Sequence, residues 1–237
     1  MFEFSTVGVD LAKNVIQVHG VDADGKTVLR RQLRRNQFLS FFEGRPGCLI
    51  GMEACSGAHH WGRRLQEMGH EVRLMPPSYV KPYVKRGKTD AADAEAICEA
   101  VTRPSMRFVP VKSEMDSAAL VLHRARDFLV GQVTQTGNAI RAHMAEFGIV
   151  TAKGSKRVAE LADKLDALPE AARLPIQVLF DQLAETQDRI DRLTDEIEEV
   201  HRQSEVSRRL ASIPGVGVLT ATAIAATTTL RDTVCIL

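Results

Sequence analysis

The chain has 237 residues, long for one small domain and short for three, so two folding units are expected, each with its own core. Apolar residues make up 44% and charged residues 26%, a balance that excludes a disordered chain, and no apolar run reaches the roughly 18 residues of a membrane span. The net charge of +1 conceals two local clumps of cations, which matter more than the sum when the partner is a polyanion.

The N-terminus lacks a cationic segment followed by a long apolar stretch, so no signal peptide is predicted. Cys48, Cys55, Cys98 and Cys235 form no C-x-x-C pair and read as reduced, cytosolic thiols.

Thr6-Val7-Gly8-Val9-Asp10 predicts a first strand, and residues 15–21 alternate as a half-buried second strand. Asp22-Ala23-Asp24-Gly25 is a turn, and Thr27-Val28-Leu29 resumes an extended pattern. Arg30, Arg31, Arg34 and Arg35 form the first cationic clump. Asn36 is a candidate cap for a short helix over 37–42, which Pro46-Gly47 ends. Residues 48–53 form an apolar strand closing on Glu53. A helix over about 56–68 and a strand over 71–75 follow, the latter stopped by Pro76-Pro77. The second clump holds Lys81, Lys85, Arg86 and Lys88, just before a helix that opens at Asp90. Mixed strand and helix order of this kind predicts an α/β sheet with helices on its faces.

Beyond residue 103 the pattern turns helical. Apolar residues at helical spacing run through 114–147 and again through 175–204, the second resembling a coiled coil whose seam needs either the first long helix or another copy of the chain. Ile213-Pro214-Gly215-Val216-Gly217 resembles the turn of a helix-hairpin-helix module, in which glycines let backbone amides approach a phosphate; five such residues also make ordinary turns. The chain ends on apolar residues, and a further segment is expected beyond them.

Four carboxylates stand out by position. Asp10 and Glu53 end strands, while Asp90 and Asp93 sit three apart at a helix start, where both project from one face. Taken alone, the helix pair is most simply a cap. The conjunction favours a divalent metal site, because isolated anions at strand ends are costly and Mg²⁺ takes oxygen ligands. Two such ions about 4 Å apart serve phosphoryl transfer. Other chemistry-bearing residues read more blandly. Cys55, His59 and His60 make a weak metal set, Trp61 a packing anchor, and Tyr79 and Tyr83 either nucleic-acid contacts or cover for the sheet.

The runs VGVDLAKNVIQVHGVDADGK, GMEACSGAHHWGRRLQEMGHEV and KRGKTDAADAEAI, followed by arginine-bearing helices and IPGVG, resemble the DEDD-type transposases of bacterial insertion sequences, relatives of the Piv invertases. The resemblance covers nearly the whole chain; V-D-L-A-K together with K-T-D-x-x-D-A is its most specific part. It implies an RNase H-like (RuvC-like) mixed sheet with flanking helices over 1–103, an α-helical, coiled-coil-like dimerisation region over 104–207 and the start of a C-terminal transposase domain over 208–237. It implies Asp10, Glu53, Asp90 and Asp93 as catalytic metal ligands, with two Mg²⁺ ions that Mn²⁺ can replace. It further implies DNA and a structured bridge RNA as partners, a homodimer or higher oligomer, and a bacterial cytoplasmic, nucleoid-associated setting. The serine nucleophile of the family belongs to the C-terminal domain, and no serine of this chain is given that role. A non-catalytic nucleic-acid-binding product and a RuvC-like junction nuclease are the competing expectations.

Overall fold

The computed structural model describes residues 4–84, 90–152 and 154–228, without the side chains of Asp90, Ser155 and Lys156. Two compact units divide it, residues 1–114 and 115–237.

The first unit is a five-stranded sheet in the order β3-β2-β1-β4-β5. Strands β1 (Thr6–Leu11), β2 (Val15–Val21) and β3 (Thr27–Arg34) form an antiparallel meander. After the short helix α1 (Phe38–Phe42) the chain enters β4 (Leu49–Glu53), which pairs parallel to β1. Helix α2 (Ala58–Glu67) then carries it to β5 (Glu71–Met75), parallel to β4. A four-residue helix α3 (Pro77–Val80) leads on to α4 (Asp90–Ala100). The mixed sheet with flanking helices matches the α/β expectation.

Strand alternation sorts the side chains by face. Val7, Val9, Ile16, Val18, Ile50, Met52 and Leu74 point to one face, where they are buried with Phe38, Phe42, Trp61 and Leu65 of α1 and α2. Three edge-to-face ring pairs lock this layer, Phe38 with Phe42, Phe38 with Trp61 and His60 with Trp61. Trp61 is therefore a packing residue, 8% exposed. The opposite face is covered by α4 and a smaller cluster containing Met75, Val80, Ile97 and Val101.

Strand β3 continues from the Thr27-Val28-Leu29 run through the arginine clump to Arg34, because an edge strand tolerates charge on solvent-facing positions while Leu33 still reaches the core at 3% exposure. One local expectation needed correction. Asn36 is no cap: a 3-10 turn spans Arg35–Gln37, and the Gln37 side chain accepts the Arg34 backbone N–H at 3.2 Å.

The second unit is helical. Helix α5 (Glu114–Ala145) and α7 (Glu170–Gln203) are joined through α6 (Ser155–Ala159) and a 3-10 run, Ala162–Ala167. They pack antiparallel, with Ile140 and Met144 of α5 buried against Ile176 and Phe180 of α7, and Arg126 donating to the Thr194 hydroxyl at 2.9 Å. The seam of the second long helix thus meets the first one in the same chain. Helix α7 begins five residues earlier than its sequence pattern predicts, with Pro175 inside it. Arg173 ties the segment before the helix to its first turn by donating to the Leu168 and Asp166 carbonyls, both at 2.9 Å. Helices α8 (Glu205–Ala211) and α9 (Val218–Thr227) follow, separated by a turn with Gly215 at φ 87° and a Val216 N–H to Ile213 carbonyl bond of 3.0 Å. Among the described residues no helix is long and apolar enough to cross a membrane.

Candidate functional site

The parallel β1–β4 ladder ends with Val9 opposite Met52, and the next residue on each strand is a carboxylate, Asp10 and Glu53. Residues level in a parallel pair share a face, so both acids leave the same face at the same end of the sheet. Both are half-buried. Each follows a glycine by two positions, Gly8 and Gly51, and those glycines line the face that α4 covers.

Gly8 decides how close α4 comes. A Cβ built there would lie 2.2 Å from the Ala94 carbonyl oxygen, 2.3 Å from the Cys98 nitrogen and 2.7 Å from the Cys98 Cβ. Gly51 does the same for the far end of the helix, where an added Cβ would lie 2.8 Å from the Val101 Cβ. The Cys98 thiol approaches the Thr6 carbonyl at 3.8 Å. Contacts at Gly8 through 94 and at Thr6 through 98 make α4 antiparallel to β1, so its N-terminal turn lies over the Asp10 end. Asp93, one residue before the Ala94 contact, is thereby laid over the two strand-end acids.

The electrostatics agree with this placement. Glu53 is pushed above the usual carboxylate range, first by burial and then by the charges of Asp10 and Asp93. The neighbouring Cys55 thiol is raised as well, by burial and then by Glu53 and Asp10. Three described acids therefore act on one another as a cluster. Asp90 opens α4, and its side chain lies outside the described structure. Among the described residues no group of three or more His, Cys, Asp or Glu side chains is arranged so that it could hold a metal ion. The donor set suits a hard divalent cation in its chemistry: all-oxygen, anionic and half-buried.

The arginine clump is not one patch. Arg30 on β3 pairs with Glu95 of α4 at 3.4 Å, on the face that carries the acids. Arg31 turns to the opposite face and rests on the Phe41 ring at 5.6 Å. Arg34, level with Val15, is exposed at the carboxylate end of the sheet. Arg35 follows it and lies over the Trp61 ring at 5.1 Å. Lys81 is exposed on the 3-10 turn after α3. Lys85, Arg86 and Lys88 lie outside the described residues.

The weaker candidates take structural roles. His59 accepts the Lys112 backbone N–H at 3.2 Å, while Arg63 donates to the Lys112 carbonyl at 2.7 Å, so this side of α2 fastens the segment that follows Val109. Tyr79 is 43% exposed, and Tyr83 packs with the Val80 cluster beneath Arg103. Sequence reasoning passed over Gly8 and Gly51, although the repeated spacing of a glycine two residues before a strand-end acid is legible in V-G-V-D and I-G-M-E.

Comparison with known proteins adds to the geometry. The family profile DEDD_Tnp_IS110, described as a transposase, matches residues 7–149. A Sinorhizobium fredii protein that carries the transposase name y4pF/y4sB is 47% identical over 214 residues, covering 89% of this chain and 55% of that protein. A Pseudomonas aeruginosa protein named as a family 20 transposase is 46% identical, covering 94% of this chain and 68% of its own length. The transposase for insertion sequence element IS1328 of Yersinia enterocolitica is 38% identical, with 92% and 66% covered. The chain thus spans between about half and two thirds of the length of these relatives.

Proposed function

Because the chain belongs to the DEDD transposase family of the IS110 type, we propose that it is the DNA-cleaving part of an insertion-sequence transposase, in which Asp10, Glu53, Asp90 and Asp93 hold the divalent metal. One observation carries the reading. Asp10 and Glu53 leave the same end and face of adjacent parallel strands, and Gly8 lets α4 lay Asp93 across them. The ions are Mg²⁺, two in number, with Mn²⁺ able to substitute. Bound there, they supply Lewis acidity for the attacking and leaving oxygens of a DNA phosphodiester.

The chain's own residues do the rest. Asp10 and Glu53 are fixed by the sheet and lose little freedom on taking up a ligand, while α4 brings the aspartates from the other side. Burial and then its acidic neighbours raise the Glu53 pKa, and a countercharge bound there would favour its ionised form. Lys81, Lys85, Arg86, Lys88, Arg34 and Arg35 neutralise backbone phosphates, so DNA affinity falls steeply with salt. The division into a RuvC-like domain over 1–103, a helical region over 104–207 and the start of a transposase domain over 208–237 belongs to the same proposal. So do strand exchange guided by a bridge RNA and dimerisation through a coiled coil of the long helices. For the last, the exposed apolar residues Val121 and Phe128 on α5, at 60% and 66%, offer a surface not used within the chain's own seam.

The test is strand cleavage of supercoiled plasmid by the purified chain in Mg²⁺, Mn²⁺ or EDTA. Metal-dependent nicking that Asp10→Asn abolishes supports the reading. A covalent protein–DNA product marks recombinase chemistry, and free ends mark a nuclease. Cleavage that persists in EDTA or in Asp10→Asn contradicts it.

A further inference from the structure

We propose that Arg35 is a preorganised seat for a DNA backbone phosphate at the carboxylate end of the sheet, and that Trp61 is the rest that holds it ready. This deepens the reading above and depends on DNA lying at the carboxylate end of the sheet.

Topology places the residue. Strands β1 and β3 run in the same direction on either side of β2, so the C-terminal end of β3 is the end at which Asp10 and Glu53 emerge. Asp10 is level with Gln17, Gln17 with Gln32, and Arg34 and Arg35 lie just beyond that row. The Arg35 side chain reaches the start of α2, on the face of the sheet opposite α4. Its Nη2 would be 3.6 Å from a Cβ built at Gly57, the residue that precedes α2. Gly57 has φ 91°, so a glycine is favoured there on backbone grounds.

Chemistry then separates Arg35 from its neighbours. Its guanidinium lies 5.1 Å from the centre of the Trp61 ring, and that ring is fixed edge-to-face by Phe38 at 5.1 Å and His60 at 5.0 Å. An aromatic rest restricts the long side chain before any ligand arrives, and the N–H groups around the guanidinium rim suit the oxygens of a phosphate. Among the described residues no carboxylate lies within ion-pairing distance of Arg35. Arg30 is already paired with Glu95, and Arg31 rests on Phe41 on the α1 side.

The test measures binding of a fluorescent DNA duplex by the full chain across a series of NaCl concentrations. Arg35→Gln keeps a polar, though shorter, side chain and removes its charge. It should weaken binding about tenfold at low salt and reduce the slope of log K against log[salt] by about one. Arg35→Lys should restore the slope and only part of the affinity. Arg30→Gln should stay within about twofold of the parent protein. An unchanged slope with only a lowered unfolding temperature would reduce Arg35 to a packing residue and overturn the proposal. Equal losses in Arg30→Gln and Arg35→Gln, or no DNA binding by the parent protein, also overturn it. Mn²⁺ uptake by the parent protein and Asp10→Asn, measured on the same samples, judges the acid cluster separately. Failure there leaves the Arg35 slope to be read by itself.

Discussion

Gly8→Ala should damage both the fold of the first unit and the geometry of its acids. The new methyl group would sit 2.2 Å from the Ala94 carbonyl oxygen and 2.3 Å from the Cys98 nitrogen, whereas ordinary contacts begin near 3.4 Å. Both atoms are backbone, so no side-chain rotation relieves the clash. Helix α4 must move off the sheet by about 1 Å, and overpacking of this kind costs about 1–3 kcal/mol, here at the upper end. The same movement carries Asp93 away from Asp10 and Glu53, so Mn²⁺ affinity should fall about tenfold or more. Urea unfolding followed by circular dichroism reads the first effect and Mn²⁺ titration the second. Adding Cys98→Ala should not rescue the variant, because the closest contacts are to main-chain atoms. A Gly8→Ala protein of parent stability and parent Mn²⁺ affinity, or one restored by Cys98→Ala, would refute the reasoning.

Gly131→Ala is the matching contrast: its Cβ would meet nothing within 4 Å inside α5, so helix propensity should raise the stability of the second unit by about 0.5–1 kcal/mol. Burial lowers the His70 pKa, and its Nδ1 accepts the Cys48 backbone N–H at 3.3 Å. A depressed folded pKa means that the stabilisation is present above the ordinary value of 6.5 and is lost as pH falls through the lowered one. The urea midpoint of the first unit should therefore drop in mild acid, and His70→Gln should flatten that dependence. Burial pushes the Cys48 and Cys98 thiols up to about 11, whereas Cys55, although its thiol is also raised, is exposed to reagent. Peptide mapping after brief alkylation at pH 8 should find Cys55 labelled ahead of Cys48 and Cys98, which react only on unfolding.

The sheet was legible because its strands alternate cleanly and its turns carry Asp, Gly and Pro at the points of reversal. What pairs with what was not. Nothing local in V-G-V-D and G-M-E says that β1 and β4 run side by side, yet that pairing alone makes Asp10 and Glu53 neighbours. The close approach of α4 was hidden for a related reason. Gly8 and Gly51 look like weak strand residues until a helix is known to cross them, and only then do they read as clearance for backbone. Charge clustering in sequence misled in the opposite direction. Arg30 and Arg31 are adjacent in the chain, but strand alternation sends one to Glu95 and the other to Phe41. The long helices announced themselves by periodicity, while the early start of α7 depended on Arg173 and on the burial of Leu168 and Ile176, which no helix propensity records.

Electron paramagnetic resonance of Mn²⁺ titrated into the purified chain tests most directly whether the acids of β1, β4 and α4 form one centre. The parent protein should take up the ion into a saturable site, and Asp10→Asn and Asp93→Asn should each weaken it strongly although they lie 83 positions apart in the chain. Uptake that is unchanged in either variant, or that is lost in one and kept in the other, would contradict a shared centre.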